Sequence, residues 1–135
     1  MVVQYAVPRR GVPSAGPLRK WARSAAPAGE VTLRIVGSRE GRLLNQRFRK
    51  RGHATNVLSF SYGRVGDIVL CHPVIAREAR AQGKSLRAHY AHLVVHGVLH
   101  LRGYRHHDKA SARKMEAREI RILRRIGFAD PYTVE

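Results

Sequence analysis

The sequence predicts an α+β domain in which a small sheet of about four strands is covered by about five helices. Short β-branched runs alternate along the chain with longer segments whose apolar residues recur every three to four positions. A chain of 135 residues suffices for one domain of ordinary size, so we expect residues 1–135 to form a single unit. With 44% hydrophobic and 26% charged residues, the composition is typical of a globular protein.

The N-terminal half is predicted to alternate strands and helices, and Pro and Gly residues separate the elements. Pro- and Gly-rich residues 8–17 are interpreted as a loop, and Gly52 as the end of the second helix. A strand, helix and strand in this order favour a parallel crossover between the second and third strands. The predicted elements are a strand over residues 2–7, a helix over 18–26, a strand over 31–36 and a helix over 39–51.

The C-terminal half is predicted to begin with a β-hairpin and to continue with three helices. In the first hairpin strand, Leu58 and Phe60 alternate with Val57 and Ser59, so the two pairs are expected on opposite faces. The predicted strands cover residues 56–62 and 67–71, and the predicted helices cover residues 73–82, 85–103 and 108–126.

The net charge of +17, from 26 Lys and Arg against 9 Asp and Glu, favours a polyanionic partner. Nucleic acid is the first candidate and an anionic membrane surface the second. Of the basic residues 21 are Arg, whose planar fork grips phosphate bidentately, although the codon bias of a GC-rich genome would also raise the Arg content.

Apolar runs, the N-terminus and the cysteine content predict the compartment of the protein and whether it inserts into a membrane. No apolar run approaches the about 18 residues of a membrane span, and the N-terminus does not resemble a secretory signal. A single cysteine, Cys71, forms no internal disulfide, fits a reducing compartment and excludes a cysteine-based zinc finger. We therefore expect a cytoplasmic protein that does not insert into a membrane.

Six of the eight histidines lie between residues 89 and 107, and three of them have metal-ligand spacing. His96 and His100 are four residues apart, so a helix stacks their imidazoles on one face. Gly103 permits a left-handed turn that returns His106 to the same ion. Three neutral imidazoles leave a fourth tetrahedral position for water, as in catalytic zinc sites, although imidazole also binds Ni, Cu and Fe.

The His-x3-His-x5-His spacing equals that of metzincin peptidases, but their catalytic base is absent. Gly97 occupies the position of the Glu that directly follows the first histidine, which argues against peptidase activity. His92 is interpreted as a supporting or packing residue. The spacing favours His106 over His107 as third ligand, and Asp108 is expected to cap the last helix rather than to orient a ligand.

The histidine segment resembles the signature of the YbeY family. Residues 96–106 match the family pattern His-Gly-x-Leu-His-Leu-x-Gly-Tyr-Asp-His except that Arg105 replaces the Asp. Residues 45–49, 55–60, 66–71 and 115–132 also resemble family segments, so the resemblance covers about residues 30–132. It implies a single-strand-specific, metal-dependent endoribonuclease that acts in rRNA processing and 16S rRNA 3′-end maturation, with ribosomal RNA and the small ribosomal subunit as partners.

The resemblance also implies roles for individual residues. His96, His100 and His106 would hold one Zn²⁺ per chain, and Arg49 would be the functionally important arginine that faces the metal cleft and stabilises negative charge on the phosphoryl oxygens. Because Arg105 replaces an Asp, it either weakens metal retention or adds a phosphate contact.

Other roles remain open at the level of sequence. Tyr62 and Tyr104 are candidates for stacking on RNA bases. Asp67 and Asp108 are candidate general bases, although a metal hydroxide would need none. The alternative function is a non-catalytic, zinc-containing RNA-binding factor in ribosome assembly.

Overall fold

The computed structural model describes residues 1–26, 30–49, 55–63 and 65–133, without the side chains of Phe48 and Arg49. The predicted α+β class is confirmed, because this part of the chain contains a four-stranded sheet and five helices. The elements are β1 (Val2–Tyr5), α1 (Ala15–Ala25), β2 (Glu30–Val36), α2 (Ser38–Arg49), β3 (Val57–Tyr62), β4 (Val65–Cys71), α3 (His72–Ala81), α4 (Leu86–Leu101) and α5 (Lys109–Arg125). The predicted helix ends at Pro27, Gly29 and Gly52 lie outside the described residues.

The strand order in the sheet is β1-β2-β4-β3. β1 pairs parallel with β2, β2 pairs parallel with β4, and β3 pairs antiparallel with β4. The hairpin is therefore confirmed, but the expected parallel crossover from the second strand to the third is wrong, because β4 lies beside β2 instead. Most of β4 is buried and needs neighbours on both sides, whereas the exposed end of β3 tolerates the sheet edge.

Helix α1 begins three residues before its predicted start, so that Pro17 lies in its first turn. Ser14 is the N-cap, and the first helical hydrogen bond runs from the Leu18 amide to the Ser14 carbonyl. Amides of a first helical turn have no acceptor within the helix, so the missing N–H of proline costs nothing there. Leu18 and Trp21 are then buried in the hydrophobic core.

The two faces of the sheet carry two cores. The larger core lies under α1, α4 and α5, and Val57 packs against it. The smaller core contains Leu58 and Val69, with Phe60 at its edge. This arrangement confirms the predicted alternation along β3, because Val57 and Leu58 face opposite sides.

Helix α4 is the central helix, and it lies unusually close to the sheet at Gly97. A Cβ atom at this position would lie 3.1 Å from Cγ2 of Ile68 and 3.2 Å from Oγ of Ser59. The Ser59 hydroxyl donates a hydrogen bond to the Gly97 carbonyl at 3.2 Å. Gly97 thus permits the helix that carries the histidines to rest directly on β3 and β4. Among the described residues, no helix is both long and apolar enough to cross a bilayer.

Candidate metal centre

Three histidines converge at the C-terminal end of α4. His96 and His100 project from successive turns of α4, and His106 comes from the loop that follows it. Each offers one ring nitrogen, and the three nitrogens lie within 4.8 Å of one another. The Nε2 atoms of His96 and His100 are 3.1 Å apart. Two nitrogens bound to one tetrahedral zinc ion are separated by about 3.3 Å, given a Zn–N distance of about 2.0–2.1 Å. The cluster therefore has the dimensions of a metal site.

The hydrogen bonds made by the Nδ1 atoms of His96 and His100 show that their Nε2 atoms are suited to bind a cation. Nδ1 of His96 lies 2.7 Å from a Glu119 oxygen, and Nδ1 of His100 lies 3.1 Å from the Tyr104 carbonyl oxygen. Both acceptors require a protonated Nδ1, so in the neutral rings both Nε2 atoms present lone pairs. Burial and the neighbouring His96 and His106 lower the pKa of His100 to about 4, which keeps its ring neutral. Two lone pairs facing each other repel, and a metal ion between them removes that repulsion.

Glu119 of α5 is the residue of this centre whose role the sequence analysis missed. Its carboxylate is fully buried and contacts Nδ1 of His96, Nε2 of His92 at 3.0 Å and the Tyr132 hydroxyl, which donates to it. Burial alone would raise the pKa of Glu119, but the hydrogen bonds from His92, His96 and Tyr132 outweigh burial and lower it to about 2. A glutamate within the apolar stripe of the last helix was the available signal, because buried carboxylates need partners. Of the two roles expected for His92, supporting or packing, its contact with Glu119 favours the supporting one.

We expect Glu119→Gln to lower the affinity for the metal by about 10–100-fold, the usual cost of losing a carboxylate that orients a ligand histidine. The glutamine amide is neutral, so it attracts the Nδ1 proton of His96 less strongly than the carboxylate does. The Nε2 lone pair of His96 then binds a metal ion more weakly. Competition with a chromophoric chelator measures the affinity. Glu116→Gln is the matched control, because Glu116 lies on the same helix and makes no hydrogen bond to a histidine among the described residues. Equal losses in both variants would contradict the assignment.

The turn after α4 selects His106 rather than His107 as the third histidine. α4 ends at Leu101, and Gly103 has a φ of 97°, which L-residues with a side chain rarely adopt. His106 then lies in the cluster, while Nε2 of His107 points to Asp108 at 3.2 Å. Asp108 caps α5 by accepting hydrogen bonds from the amide and hydroxyl of Ser111. The expected capping role of Asp108 is thereby confirmed.

We expect Gly103→Ala to lower both protein stability and metal affinity. The strained φ costs about 1–2 kcal/mol in the free energy of unfolding, and the turn relieves that strain by moving His106. Gly127→Ala is a closely matched control, because Gly127 has a φ of 94° and follows α5. It should destabilise the fold to a similar extent and leave metal affinity unchanged. Thermal denaturation measures the stability, and chelator competition measures the metal affinity. If both variants lost metal affinity, the loss would follow from lower stability and not from the position of His106.

The three histidines form one wall of an open cleft of about 550 Å³, which we call the metal cleft. β3 and the residues that precede it contribute the polar side chains of Thr55, Asn56, Ser59 and Ser61, and apolar Val57 and Leu101 also line the cleft. Asn56 is held by its amide, which donates to Glu78 at 3.0 Å. Arg105 completes the rim, and among the described residues no carboxylate lines the cleft. The cleft therefore offers hydrogen-bond donors and positive charge beside the histidines.

Two residues with proposed catalytic or stacking roles lie away from the metal cleft. Asp67 is the cross-strand partner of Phe60, so it shares the face of the smaller core, and Tyr62 lines the same surface. The cleft uses the opposite face, where Ser59 and Ser61 point. Neither the Asp67 general base nor the Tyr62 stacking role is supported by this geometry, because the one-residue alternation of a strand places both on the far side. The side chain of Arg49 lies outside the described residues.

Together the fold and the site define a class of protein, a small α+β domain with a three-histidine centre in an open surface cleft. Comparisons with known proteins identify the group within that class. Residues 17–127 match the family model described as Endoribonuclease YbeY. A Nitrosomonas eutropha protein named Endoribonuclease YbeY is 49% identical over 100% of this chain and 99% of its own length. A protein of the same name from Stenotrophomonas maltophilia is 44% identical over 100% of this chain and 94% of its own length.

The chain belongs to the YbeY family, as its resemblance in the histidine segment predicted. The solution structure of a Thermotoga maritima protein shares the fold, with a TM-score of 0.56 over 98% of this chain and 99% of that protein at 22% sequence identity. The family membership and the shared fold rest on independent comparisons, one of sequence and one of structure.

Proposed function

We propose that this protein is a cytoplasmic, zinc-dependent endoribonuclease that cuts single-stranded RNA during 16S rRNA 3′-end maturation, with the small ribosomal subunit as its partner. The observation that carries the proposal is the convergence of three imidazole nitrogens within 4.8 Å at the wall of an open cleft. The name Endoribonuclease of the family model and of the relatives supports RNA as the substrate.

His96, His100 and His106 are the proposed ligands of one zinc ion per chain. A bound zinc ion would supply Lewis acidity, which polarises a phosphoryl oxygen or lowers the pKa of a water molecule to about 7. Glu119 keeps the Nδ1 proton on His96, and the Tyr104 carbonyl keeps the Nδ1 proton on His100. Both rings therefore keep the tautomer that a metal ligand requires.

The remaining proposed residues act on the RNA itself. Arg49 stabilises the negative charge that develops on the phosphoryl oxygens, as the family resemblance implies. Arg105 lies on the rim of the metal cleft and binds a backbone phosphate, and Tyr104 contacts the strand beside it. The net charge of +17 supports attraction of the RNA backbone over the whole surface.

The rival function, a non-catalytic RNA-binding assembly factor with a structural zinc ion, is disfavoured by the same cleft. Structural zinc sites are usually closed by four protein ligands and buried. Here His106 is exposed, and among the described residues the cluster around it contains three histidines and no further ligand. A centre that is open on one side suits a reacting group better than a structural role.

The deciding experiment incubates metal-quantified protein with an RNA that carries the precursor 3′ end of 16S rRNA. The same RNA annealed to a complementary strand serves as the control. We expect cleavage of the single strand, loss of cleavage after metal removal by a chelator, and its return when zinc is restored. Tight binding of the single strand without cleavage by the zinc-loaded protein would favour the assembly factor instead.

A further inference from the structure

A second cavity of about 370 Å³ lies beside the metal cleft, between the loop after α4 and the first turns of α5. Most of its side chains are basic or polar, and the lining includes Arg102, Tyr104, Arg105, His107, Ser111 and Lys114. Among the described residues, none that lines this second cavity is acidic. Three guanidinium and ammonium groups and one imidazole around one cavity favour an anion over any other ligand.

The second cavity adjoins the metal cleft. Arg105 and His107 line both spaces, so a strand that leaves the metal cleft over these two side chains reaches the second cavity past basic groups. A polynucleotide carries one phosphate per nucleotide, and the next phosphate along the strand meets the basic groups there. The arrangement suits a chain of phosphates better than a single small anion.

Two of the guanidinium groups are held in place by backbone carbonyls. Nη1 of Arg105 donates to the carbonyls of His100 and Tyr104, at 3.1 and 2.9 Å. Nη1 of Arg102 donates to the Ala25 carbonyl at 2.6 Å. Within the described part of the chain, their other guanidinium nitrogens have no hydrogen-bond acceptor. Because the side chains are already ordered, less conformational entropy is lost when a phosphate binds.

Asp108 is the acidic residue that neighbours this wall, and its carboxylate is already engaged. One oxygen accepts hydrogen bonds from the Ser111 amide and hydroxyl, and the other lies 3.2 Å from Nε2 of His107. Asp108 does not line the second cavity. Its charge is therefore directed to the helix cap and to His107 rather than to the position of the anion.

We propose that the second cavity binds a backbone phosphate of the RNA strand at a nucleotide outside the one held in the metal cleft. The inference rests on the proposed function, which supplies the single-stranded RNA, and it names the basic groups that hold a neighbouring phosphate. Lys114 has no role that the sequence predicts, and its flexible ammonium group adds positive charge to the same cavity as the anchored guanidinium groups.

A double-mutant cycle tests the inference by combining the removal of one side chain with the neutralisation of one phosphate. The probe is a fluorescent, single-stranded 2′-O-methyl RNA, checked by gel to remain intact, in which each phosphate in turn is replaced by a neutral methylphosphonate. Zinc-loaded wild-type protein, Lys114→Ala and the control Arg113→Ala are titrated with each probe. Arg113 is exposed on the same helix and does not line the second cavity. Metal content is measured in all three proteins.

At one position, the methylphosphonate should weaken binding to the wild type and to Arg113→Ala by about three- to tenfold. At that position alone, the loss should be smaller in Lys114→Ala than in the wild type, because only Arg102 and Arg105 then remain to contact the phosphate. With the unmodified RNA, the slope of log affinity against log salt should also be smaller for Lys114→Ala, by up to about 0.7, the value of one phosphate on a single strand. If every methylphosphonate weakens all three proteins equally, Lys114 contributes only to the general positive field and the inference is wrong. That result would not affect the proposed function, which the cleavage assay tests separately. Conversely, if Lys114 is coupled to one phosphate but the zinc-loaded protein does not cleave RNA, the proposed function is wrong and the phosphate site remains.

Discussion

His100→Ala protein is expected to purify with almost no bound metal, whereas the wild-type protein is expected to carry about one zinc ion per chain. His100 is the proposed ligand between the other two in the chain, and its Nε2 lies 3.1 Å from Nε2 of His96. Two remaining imidazoles are too few for tight binding. The loss of affinity should therefore exceed the about 10–100-fold cost of losing an orienting carboxylate. Elemental analysis of the purified protein gives the metal content, and circular dichroism checks the fold.

His107→Ala is the matched control for this prediction. His107 is adjacent in sequence to the proposed ligand His106 and has an exposed side chain, but its Nε2 contacts Asp108 and lies outside the cluster. Its replacement should leave the metal content near one ion per chain. If His107→Ala lost the metal while His106→Ala kept it, the third ligand would be His107 and the geometry of the loop would be assigned wrongly. If His100→Ala kept its zinc, the whole site assignment would be wrong.

Arg49→Ala is expected to lower the rate of RNA cleavage by about 10²–10³-fold, as the loss of a preorganised positive group beside a developing oxyanion does. RNA affinity should change little, because Arg49 is one of 26 Lys and Arg residues. Arg49→Lys should restore only part of the rate, because an ammonium group lacks the bidentate fork. Single-turnover cleavage with saturating enzyme isolates the chemical step, and the zinc content should be the same in all variants.

Arg42→Ala provides the control, because Arg42 is an exposed cation on the same helix. It removes the same charge from α2 and should leave the single-turnover rate within a few-fold of the wild type. Should Arg49→Ala cleave at the wild-type rate under saturation and fail only with dilute enzyme, Arg49 would serve RNA binding rather than the reaction. Equal effects of both substitutions would show that the charge of the helix matters, not the position of Arg49.

The replacement of the family Asp by Arg105 has a structural explanation in part. The Arg105 guanidinium donates to the carbonyls of His100 and Tyr104 and lies on the rim of the metal cleft. It thereby holds the end of α4 and the loop together through hydrogen bonds, and it adds positive charge to the rim of the metal cleft. The orienting carboxylate of the centre comes from Glu119 on α5, so His96 does not depend on an acidic residue at position 105.

Local features of the sequence determined much of the fold and most of the centre. The periodicity of apolar residues predicted the order of strands and helices, because each element buries one face and its hydrogen bonds lie within short stretches of chain. The i, i+4 spacing of His96 and His100, the turn at Gly103 and the cap at Asp108 followed for the same reason. Each of these depends on residues that are within a few positions of one another.

Only the tertiary structure decided the features that join distant parts of the chain. It placed β4 between β2 and β3, put Asp67 on the face away from the metal cleft, and brought Glu119 to His96, which is 23 residues earlier in the sequence. It also placed the second cavity next to the metal cleft, with Arg105 and His107 lining both. These contacts depend on which surfaces pack together, because strand partners and buried hydrogen bonds are chosen by the packing of the whole domain, and no local pattern of residues encodes that choice.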